Sequence, residues 1–150
     1  MRYWLMKSEP TVYGIQHLRQ QQQTLWDGVR NYQARNFLLE MQEGDLAFFY
    51  HSNSQPPGIA GLMRVIATQI VDPSQFDPIS PYADSKATPT QPRWWTVKVE
   101  FVEEISPLID LTQLKQRFSG DDLWVVRRGN RLSVMPVETW VAENILSLRS

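Results

Sequence analysis

The distribution of apolar and polar positions in the N-terminal half of the chain predicts three strands and two helices. Short apolar runs typical of strands lie at 3–7, 46–50 and 59–71. The third run contains Gly61, which is typical of a strand that is buried on both faces or bent by a bulge. Helical periodicity is present at 12–22 and at 32–42. Asn31 directly precedes the second helix and is suited to be its N-cap.

After a long loop, the C-terminal half begins with one further strand and a short helix. Residues 72–91 are rich in Pro, Ser, Asp and Thr, a composition that predicts a surface loop ranging from ordered to mobile. A strand is expected at 94–102, where apolar and polar residues alternate. Asp110 is expected to cap a short helix that extends towards Phe118.

The last part of the chain predicts a β-hairpin and a final helix. Gly129 and Asn130 are suited to the turn of a hairpin between the apolar runs at 123–126 and 132–134. Pro136 is expected to open the last helix, because proline is favoured at the first helical position. The inward face of that helix is expected to comprise Val137, Trp140, Val141, Ile145 and Leu148.

Together these elements amount to about five or six strands and four short helices, with no regular βαβ repeat. This pattern is typical of an α+β fold in which short helices flank a mixed, barrel-like β-sheet that is curved or closed. No internal repeat or linker-like segment divides the 150 residues, so we expect a single domain over 1–150.

Composition and charge narrow the classes of function. The chain has no cysteine, which excludes disulfides, thiolate catalysis and cysteine-ligated metals. No apolar stretch approaches the roughly 18 residues of a membrane span, and no signal peptide is recognisable, so we expect a soluble cytoplasmic protein that binds no membrane. The net charge is −1. Because non-specific binding to nucleic acid needs many Lys and Arg residues, any such role must rest on a local patch and a pocket.

Two predicted strands end in polar residues that could line a binding site. The first strand runs into Lys7, Ser8 and Glu9, and Pro10 then ends the strand because it has no N–H to donate. The 46–50 strand runs into His51-Ser52-Asn53 in the same way. Two such strand ends predict a pocket, although His51 alone could equally be a structural histidine. Adjacent strand residues point to opposite faces, so a catalytic His51–Ser52 pair is not expected.

The segment from Trp26 to Tyr32 has the highest density of groups that could recognise a ligand. It holds an aromatic ring beside a helix start, and Asn31 and Tyr32 offer hydrogen-bonding groups of the kind that read the edge of a base. The alternative is that Trp26 packs in the core and that Asp27 and Arg30 form a local ion pair.

Arg127, Arg128 and Arg131 form the best arginine cluster in the chain for contacts to phosphates. They could also be no more than the solvated tip of the predicted hairpin. Only two histidines are present, and no spacing of His, Asp or Glu indicates a metal site. No phosphate-binding loop, dinucleotide motif or nucleophile elbow occurs. We therefore expect no catalytic residues, no metal and no cofactor.

Six motifs, in order along the chain, resemble an EVE domain, and the resemblance runs from Tyr3 to about Leu148. They are Lys7-Ser8-Glu9-Pro10, the segment Trp26 to Phe37, Phe48 to Asn53, Pro57 to Gly61, Pro92-Arg93-Trp94 and Arg131 to Val137. The long match from Trp26 to Phe37 is highly specific. The chain starts at its first strand, without the basic extension of vertebrate members, so we expect a stand-alone protein of the bacterial type.

The resemblance implies a PUA-like fold, related to YTH and ASCH domains, and a role in reading a modified base in DNA or RNA, a modified cytosine above all. Carried over by motif, the base-binding pocket would be lined by Lys7, Ser8, Glu9, Trp26, Asn31, Tyr32, His51, Ser52 and Trp94. Arg131 and Ser133 would lie close by. Trp95 follows Trp94 where relatives often carry a small residue, which leaves open which of the two rings faces the pocket. The expected partner is a modified nucleic acid, bound by a monomer.

Two alternatives stay open from the residues. The first is an enzyme that acts on a nucleobase or nucleotide, with Glu9 as general base and Lys7 or His51 as electrostatic partner. The second is a protein–protein module of a stress or defence system.

Overall fold

The computed structural model describes residues 1–150, which form one six-stranded mixed sheet and four α-helices. The sheet is open and has the strand order β2-β5-β4-β3-β1-β6. The strands are β1 Tyr3–Ser8, β2 Gln23–Leu25, β3 Leu46–His51, β4 Gly58–Val71, β5 Trp95–Asp110 and β6 Val134–Val137. The helices are α1 Ile15–Gln21, α2 Tyr32–Glu40, α3 Leu111–Arg117 and α4 Thr139–Ser147. The predicted α+β class is confirmed, and no helix has the length and apolar character needed to cross a membrane.

The core lies on both faces of the sheet because successive side chains of the central strands point to opposite sides. On β1, Tyr3 and Leu5 belong to one apolar cluster, and Trp4 and Met6 belong to the other. Trp4 is fully buried, and its indole N–H donates to the carboxylate of Asp45 at 3.0 Å. The first cluster includes residues of α3 and α4 and the second includes residues of α1 and α2, so helices cover both faces of the sheet.

The parallel pairing of β1 with β3 places two polar strand ends side by side. In this register Lys7 pairs with Tyr50, and Ser8 pairs with His51. The remaining strand pairs of the sheet are antiparallel. The backbone N–H of Lys7 also donates to the carbonyl of Ser133 at 2.8 Å, which brings the segment before β6 to the same edge. Three chain segments far apart in sequence thus meet at one end of the sheet.

Several local predictions are confirmed. The side chain of Asn31 accepts a hydrogen bond from the Ala34 N–H at 2.9 Å and so caps α2. Asp110 caps α3 through the N–H of Gln113 at 2.8 Å. The long β4 strand is irregular, as Gly61 predicted, with register shifts against both neighbouring strands.

The predicted hairpin around Gly129 and Asn130 is wrong. Residues Trp124–Val126 form a 3-10 turn instead of a strand. The Asn130 side chain closes the loop locally, because it donates to the Trp124 carbonyl at 2.6 Å and accepts from the Leu132 N–H at 2.9 Å. The strand that follows pairs with β1 and not with the preceding segment.

The predicted helix start at Pro136 is also wrong. Pro136 lies inside β6 opposite Trp4, and α4 begins only at Thr139. β6 is an edge strand, where a missing N–H costs no sheet hydrogen bond on the open side. Trp140 was expected to face inward, yet it is 48% exposed. The short strand β2 was not predicted, and β5 extends eight residues beyond the expected end at residue 102.

Candidate nucleic-acid interface

A cavity of about 620 Å³ opens where the polar strand ends meet. Its walls come from the end of β1 and the loop after it, from the end of β2 and the turn that follows, and from four single loop positions. The residues that line it are Lys7, Ser8, Glu9, Val12, Tyr13, Thr24, Leu25, Trp26, Asp27, Gly28, Val29, Arg30, Ser52, Tyr82, Arg131 and Ser133. Ligand pockets in proteins commonly measure roughly 300–1,000 Å³, so the cavity has room for a nucleoside-sized ligand.

Six of the ten residues expected in the base-binding pocket lie in this cavity, namely Lys7, Ser8, Glu9, Trp26, Ser52 and Ser133. The Ser8 hydroxyl already forms one hydrogen bond within the protein. It donates to the Tyr13 carbonyl at 2.6 Å and so holds the loop after β1. Lys7 forms no ion pair, and burial lowers the pKa of its ammonium group. A cation that lacks a protein partner inside a cavity is suited to meet an anion or a carbonyl oxygen of a ligand.

Trp26 serves both the cavity and the core. It is only 7% exposed, and its ring packs edge-on against Phe49 with the centroids 5.4 Å apart. Its backbone is tied to β5, because the N–H donates to the Val97 carbonyl at 3.0 Å. Removing the ring would cost about 3–5 kcal/mol of stability as a core truncation. The two interpretations of Trp26 offered by the sequence are therefore not exclusive.

A buried carboxylate, Asp72, fixes the turn that follows Trp26. It accepts hydrogen bonds from the Gly28 N–H at 2.9 Å and from Ser74, and it pairs with Arg30 at 3.1 Å. Burial pushes the pKa of Asp72 upward, but the hydrogen bonds from Ser74, Gly28 and Arg30 outweigh burial and hold the pKa below its usual value. The sequence had suggested a local ion pair between Asp27 and Arg30. In the structure Arg30 pairs with the distant Asp72 instead.

Tyr82 closes one side of the cavity by packing on Gly28. Gly28 has a φ of +85°, and a Cβ at this position would lie 2.7 Å from the tyrosine ring. Only glycine satisfies both conditions without strain. Arg30 holds the same loop through the Tyr82 carbonyl at 2.9 Å. The 72–91 segment, expected to be a loop of uncertain order, is therefore anchored and supplies an aromatic wall.

His51 does not line the cavity and has a structural role. Its Nε2 accepts a hydrogen bond from the Ile15 N–H at 3.1 Å, at the first residue of α1. Nδ1 of His17 accepts from the neighbouring Gly14 N–H at 2.8 Å. Both histidines of the chain thus satisfy free N–H groups at one helix terminus. Burial lowers the pKa of His51, while the charge of Glu104 acts weakly in the opposite direction.

We expect the stability of the protein to fall on mild acidification because of His51. Its pKa is lower in the folded state than in the unfolded chain, so the contribution is present above about pH 6.5 and is lost as the pH falls through the folded-state pKa. Protonation removes the acceptor for Ile15, a loss of about 0.5–1.5 kcal/mol. Urea unfolding of wild type and His51→Gln between about pH 7.5 and 5.5 measures this loss of unfolding free energy. If the unfolding free energy fell equally in both proteins, the loss could not be assigned to His51, since glutamine does not titrate.

Asn31, Tyr32 and Trp94, the other expected pocket residues, also lie outside the cavity. Tyr32 is 47% exposed and stacks on Trp94 with the ring centroids 5.0 Å apart. Trp94 is 5% exposed, and its indole N–H donates to Asp84 at 2.8 Å. Neither Trp94 nor Trp95 lines the cavity. The guanidinium group of Arg30 lies between the cavity and this aromatic pair, 5.2 Å from the Trp94 ring centroid.

A groove of about 380 Å³ adjoins the cavity and carries the predicted arginine cluster. Its lining consists of Asn31, Gln33, Trp124, Arg127, Arg128, Gly129, Asn130, Arg131 and Leu132. Arg131 lines both spaces, so the groove and the cavity adjoin at this side chain. All three arginines are exposed. Only Arg127 has an acidic neighbour, Asp121, at the long distance of 3.9 Å.

Sequence reasoning missed four residues with prominent positions in the cavity: Tyr13, Asp27, Arg30 and Tyr82. Asp27 and Arg30 lie inside the segment that was singled out, but their short spacing suggested a mutual ion pair. Tyr82 carried no signal, because it lies in a polar loop whose contact with Gly28 spans 54 positions.

The chain matches the family described as the EVE domain over residues 2–148. It belongs to the EVE domain family. This confirms the resemblance drawn from the motifs. Thymocyte nuclear protein 1 of Homo sapiens is 40% identical to this EVE domain over 164 residues, which cover 97% of the chain and 73% of the human protein.

Solved structures place this EVE domain among close structural relatives. A crystal structure of a Pseudomonas syringae protein has a TM-score of 0.95 and 47% identity and covers 99% of each chain. Human thymocyte nuclear protein 1, crystallised in complex with DNA that contains 5-methylcytosine, has a TM-score of 0.92 at 38% identity, covering 99% of this chain and 97% of that one. The Mmi1 YTH domain bound to RNA shares the fold alone, with a TM-score of 0.58 at 11% identity over 99% of this chain and 77% of that chain.

Proposed function

We propose that this EVE domain is a nucleic-acid-binding module that reads a modified base, a modified cytosine above all, in DNA or RNA. The base enters the cavity, and the adjoining groove holds the strand from which the base is extruded. The observation that carries the proposal is that the two spaces adjoin at Arg131, with an aromatic and polar lining on one side and arginines on the other. The complex of human thymocyte nuclear protein 1 with DNA containing 5-methylcytosine supports this choice of ligand.

The division of contacts follows the chemistry of the two spaces. Arg127 and Arg128 contact phosphates in the groove, which positions the strand without reading its sequence. In the cavity, the Trp26 and Tyr82 rings offer apolar surface to a base, and stacking contributes about 1–3 kcal/mol per base. Extruding a base from a duplex costs a few kcal/mol. Hydrogen bonds in the cavity must supply the remainder, so a single domain is expected to bind in the micromolar range or more weakly.

We propose binding without turnover. His51, one partner considered for an enzyme, lies outside the cavity with its Nε2 engaged by Ile15. Glu9 and Lys7 do line the cavity, but the chain has no cysteine, and no serine lies beside a histidine within it. A binding module needs no such partners. The monomeric state and the cytoplasmic location stay predictions.

Binding is tested with strands of one sequence that carry a single central cytosine or 5-methylcytosine, as DNA and as RNA, measured by fluorescence anisotropy. We expect tighter binding of a modified strand than of its unmodified counterpart, and competition by the free modified nucleoside. Equal affinity for both strands would contradict a reader of 5-methylcytosine. Mass spectrometry of the nucleosides after incubation distinguishes the enzyme alternative, because a reader leaves the base unchanged.

A Lys7→Gln variant is expected to lower the affinity for the modified strand about 10–100-fold, since a hydrogen bond to a charged group contributes roughly 1.5–3 kcal/mol. Glutamine keeps much of the volume and removes the charge. Lys115→Gln, at an exposed position on α3, is the matched control and should bind as wild type does. Anisotropy titrations measure both. A Lys7→Gln protein that binds as tightly as the Lys115→Gln protein would place the ligand away from the end of β1.

A further inference from the structure

Asp27 is an acidic side chain in the cavity wall that no other part of the protein uses. Its carboxylate forms no ion pair and accepts no hydrogen bond from another residue. The nearest cation in sequence, Arg30, is fully engaged elsewhere. Its guanidinium donates to the Tyr82 carbonyl, to the Val29 carbonyl, to Ser74 and to Asp72, all within 2.9–3.1 Å.

Asp27 shares the cavity with two aromatic side chains. Trp26 and Tyr82 also line the cavity, and the Tyr82 ring packs on Gly28, the residue after Asp27. The backbone of this turn is held by Asp72 through the Gly28 N–H. A base that stacks on either ring presents its edge to the other groups of the cavity wall, and the Asp27 carboxylate is one of them.

The edge of cytosine matches a carboxyl group, whereas the edge of thymine does not. Cytosine presents its amino group as a donor beside the ring nitrogen N3, which is an acceptor. An ionised carboxylate accepts a hydrogen bond from this amino group, the usual contact of Asp or Glu with cytosine. Where cytosine has its amino group, thymine has a carbonyl oxygen, and this oxygen repels a carboxylate.

We infer that Asp27 is the residue that selects a cytosine-type base over a thymine- or uracil-type base, by accepting a hydrogen bond from the exocyclic amino group of the base. The inference rests on the proposed function, because it assumes that the base occupies the cavity.

Within the protein the charge of the Asp27 carboxylate is poorly compensated, so the carboxylate is suited to accept a hydrogen bond from a ligand. Removal of water by the surrounding protein raises the pKa of its carboxyl, and the charge of Asp72 raises it further, while a bond to its own backbone and the charge of Arg30 act in the opposite direction. The other titratable or charged groups that face the same cavity are Lys7, Glu9, Tyr13, Tyr82 and Arg131.

The test compares two DNA strands that differ only in one central base, 5-methylcytosine or thymine. Both bases carry the same methyl group, so any preference arises at the opposite edge. Wild type should prefer 5-methylcytosine about 10–100-fold. Asp27→Asn should lose this preference to within about threefold, since an amide turned either way pairs with either base. Glu43→Gln, which removes an exposed carboxylate that lines neither the cavity nor the groove, is the control and should keep the wild-type preference.

Asp27 is exposed to the cavity and supports no other residue, so the Asp27→Asn variant is expected to fold, and thermal unfolding checks this.

The outcomes separate this inference from the proposed function. If wild type binds the 5-methylcytosine strand and Asp27→Asn keeps the preference for it over the thymine strand, the inference is overturned and the reader function stands. If wild type binds neither strand, in DNA or in RNA, both are overturned. Loss of the preference in a Glu9→Gln variant, which changes the other acid of the cavity, instead of in Asp27→Asn would assign selection to the end of β1 and also overturn the inference.

Discussion

An Asp72→Ala variant is expected to lose about 3–5 kcal/mol of unfolding free energy, because it leaves the partly buried Arg30 guanidinium without its counter-ion. The same change removes the acceptors for Gly28 and Ser74. Since these contacts hold the Tyr82 loop against the turn, affinity for the modified strand should fall as well. Urea unfolding followed by circular dichroism, and anisotropy titrations of the folded variant, measure the two effects.

The matched control is an ion pair of similar length on the surface. Arg64 and Glu100 lie 2.8 Å apart, and both side chains are substantially exposed. Glu100→Ala should therefore change stability by no more than about 1 kcal/mol and leave binding unchanged. If Asp72→Ala were no more destabilised than Glu100→Ala, the Asp72 contacts would not be what holds the loop, and Tyr82 would need another support.

Replacing Arg127 and Arg128 with alanine is expected to weaken oligonucleotide binding strongly while leaving nucleoside binding unchanged. Both side chains line the groove but not the cavity. Each lost phosphate contact reduces the salt slope by about 0.9 for duplex DNA or 0.7 for a single strand. If affinities converge near 1 M salt, two lost contacts correspond to a loss of roughly 25–60-fold at 0.1 M salt.

Adding Arg131→Ala extends the loss to the nucleoside, since Arg131 also lines the cavity. The triple variant should thus lose roughly 10²–10³-fold in duplex binding at 0.1 M salt. An Arg64→Ala, Arg117→Ala double variant removes two exposed arginines that line neither space and should keep the wild-type slope. Salt titrations with strand and nucleoside measure both variants. An unchanged slope in the triple variant would mean that the strand follows another face.

Where a signal was local, the sequence predicted the structure well. Asn31 and Asp110 were identified as N-caps because a capping side chain bonds to N–H groups only a few residues away. The apolar run at 3–7 was correctly assigned to a strand, β1. Pro136 misled the prediction, since its preference for a first helical turn is equally satisfied on an edge strand.

Non-local pairing explains the errors around Asn130 and at β2. The chain does turn at Gly129-Asn130. The strand that follows, β6, pairs with β1, which lies more than 120 residues earlier in the chain. β2 has only three residues and is a strand because β5 offers it partners. Neither pairing leaves a trace in the local pattern of apolar residues.

The sequence by itself determined which chemistry the chain can offer: an EVE domain motif set, two strands that end in polar residues, an arginine cluster and no cysteine. It could not assign the polar residues to one site, because their donors and acceptors are satisfied by distant partners. His51 bonds to α1, Trp94 bonds to Asp84, and Arg30 bonds to Asp72 and leaves Asp27 free. Only the tertiary structure decides such pairings, since they depend on segments tens of residues apart meeting at one edge of the sheet.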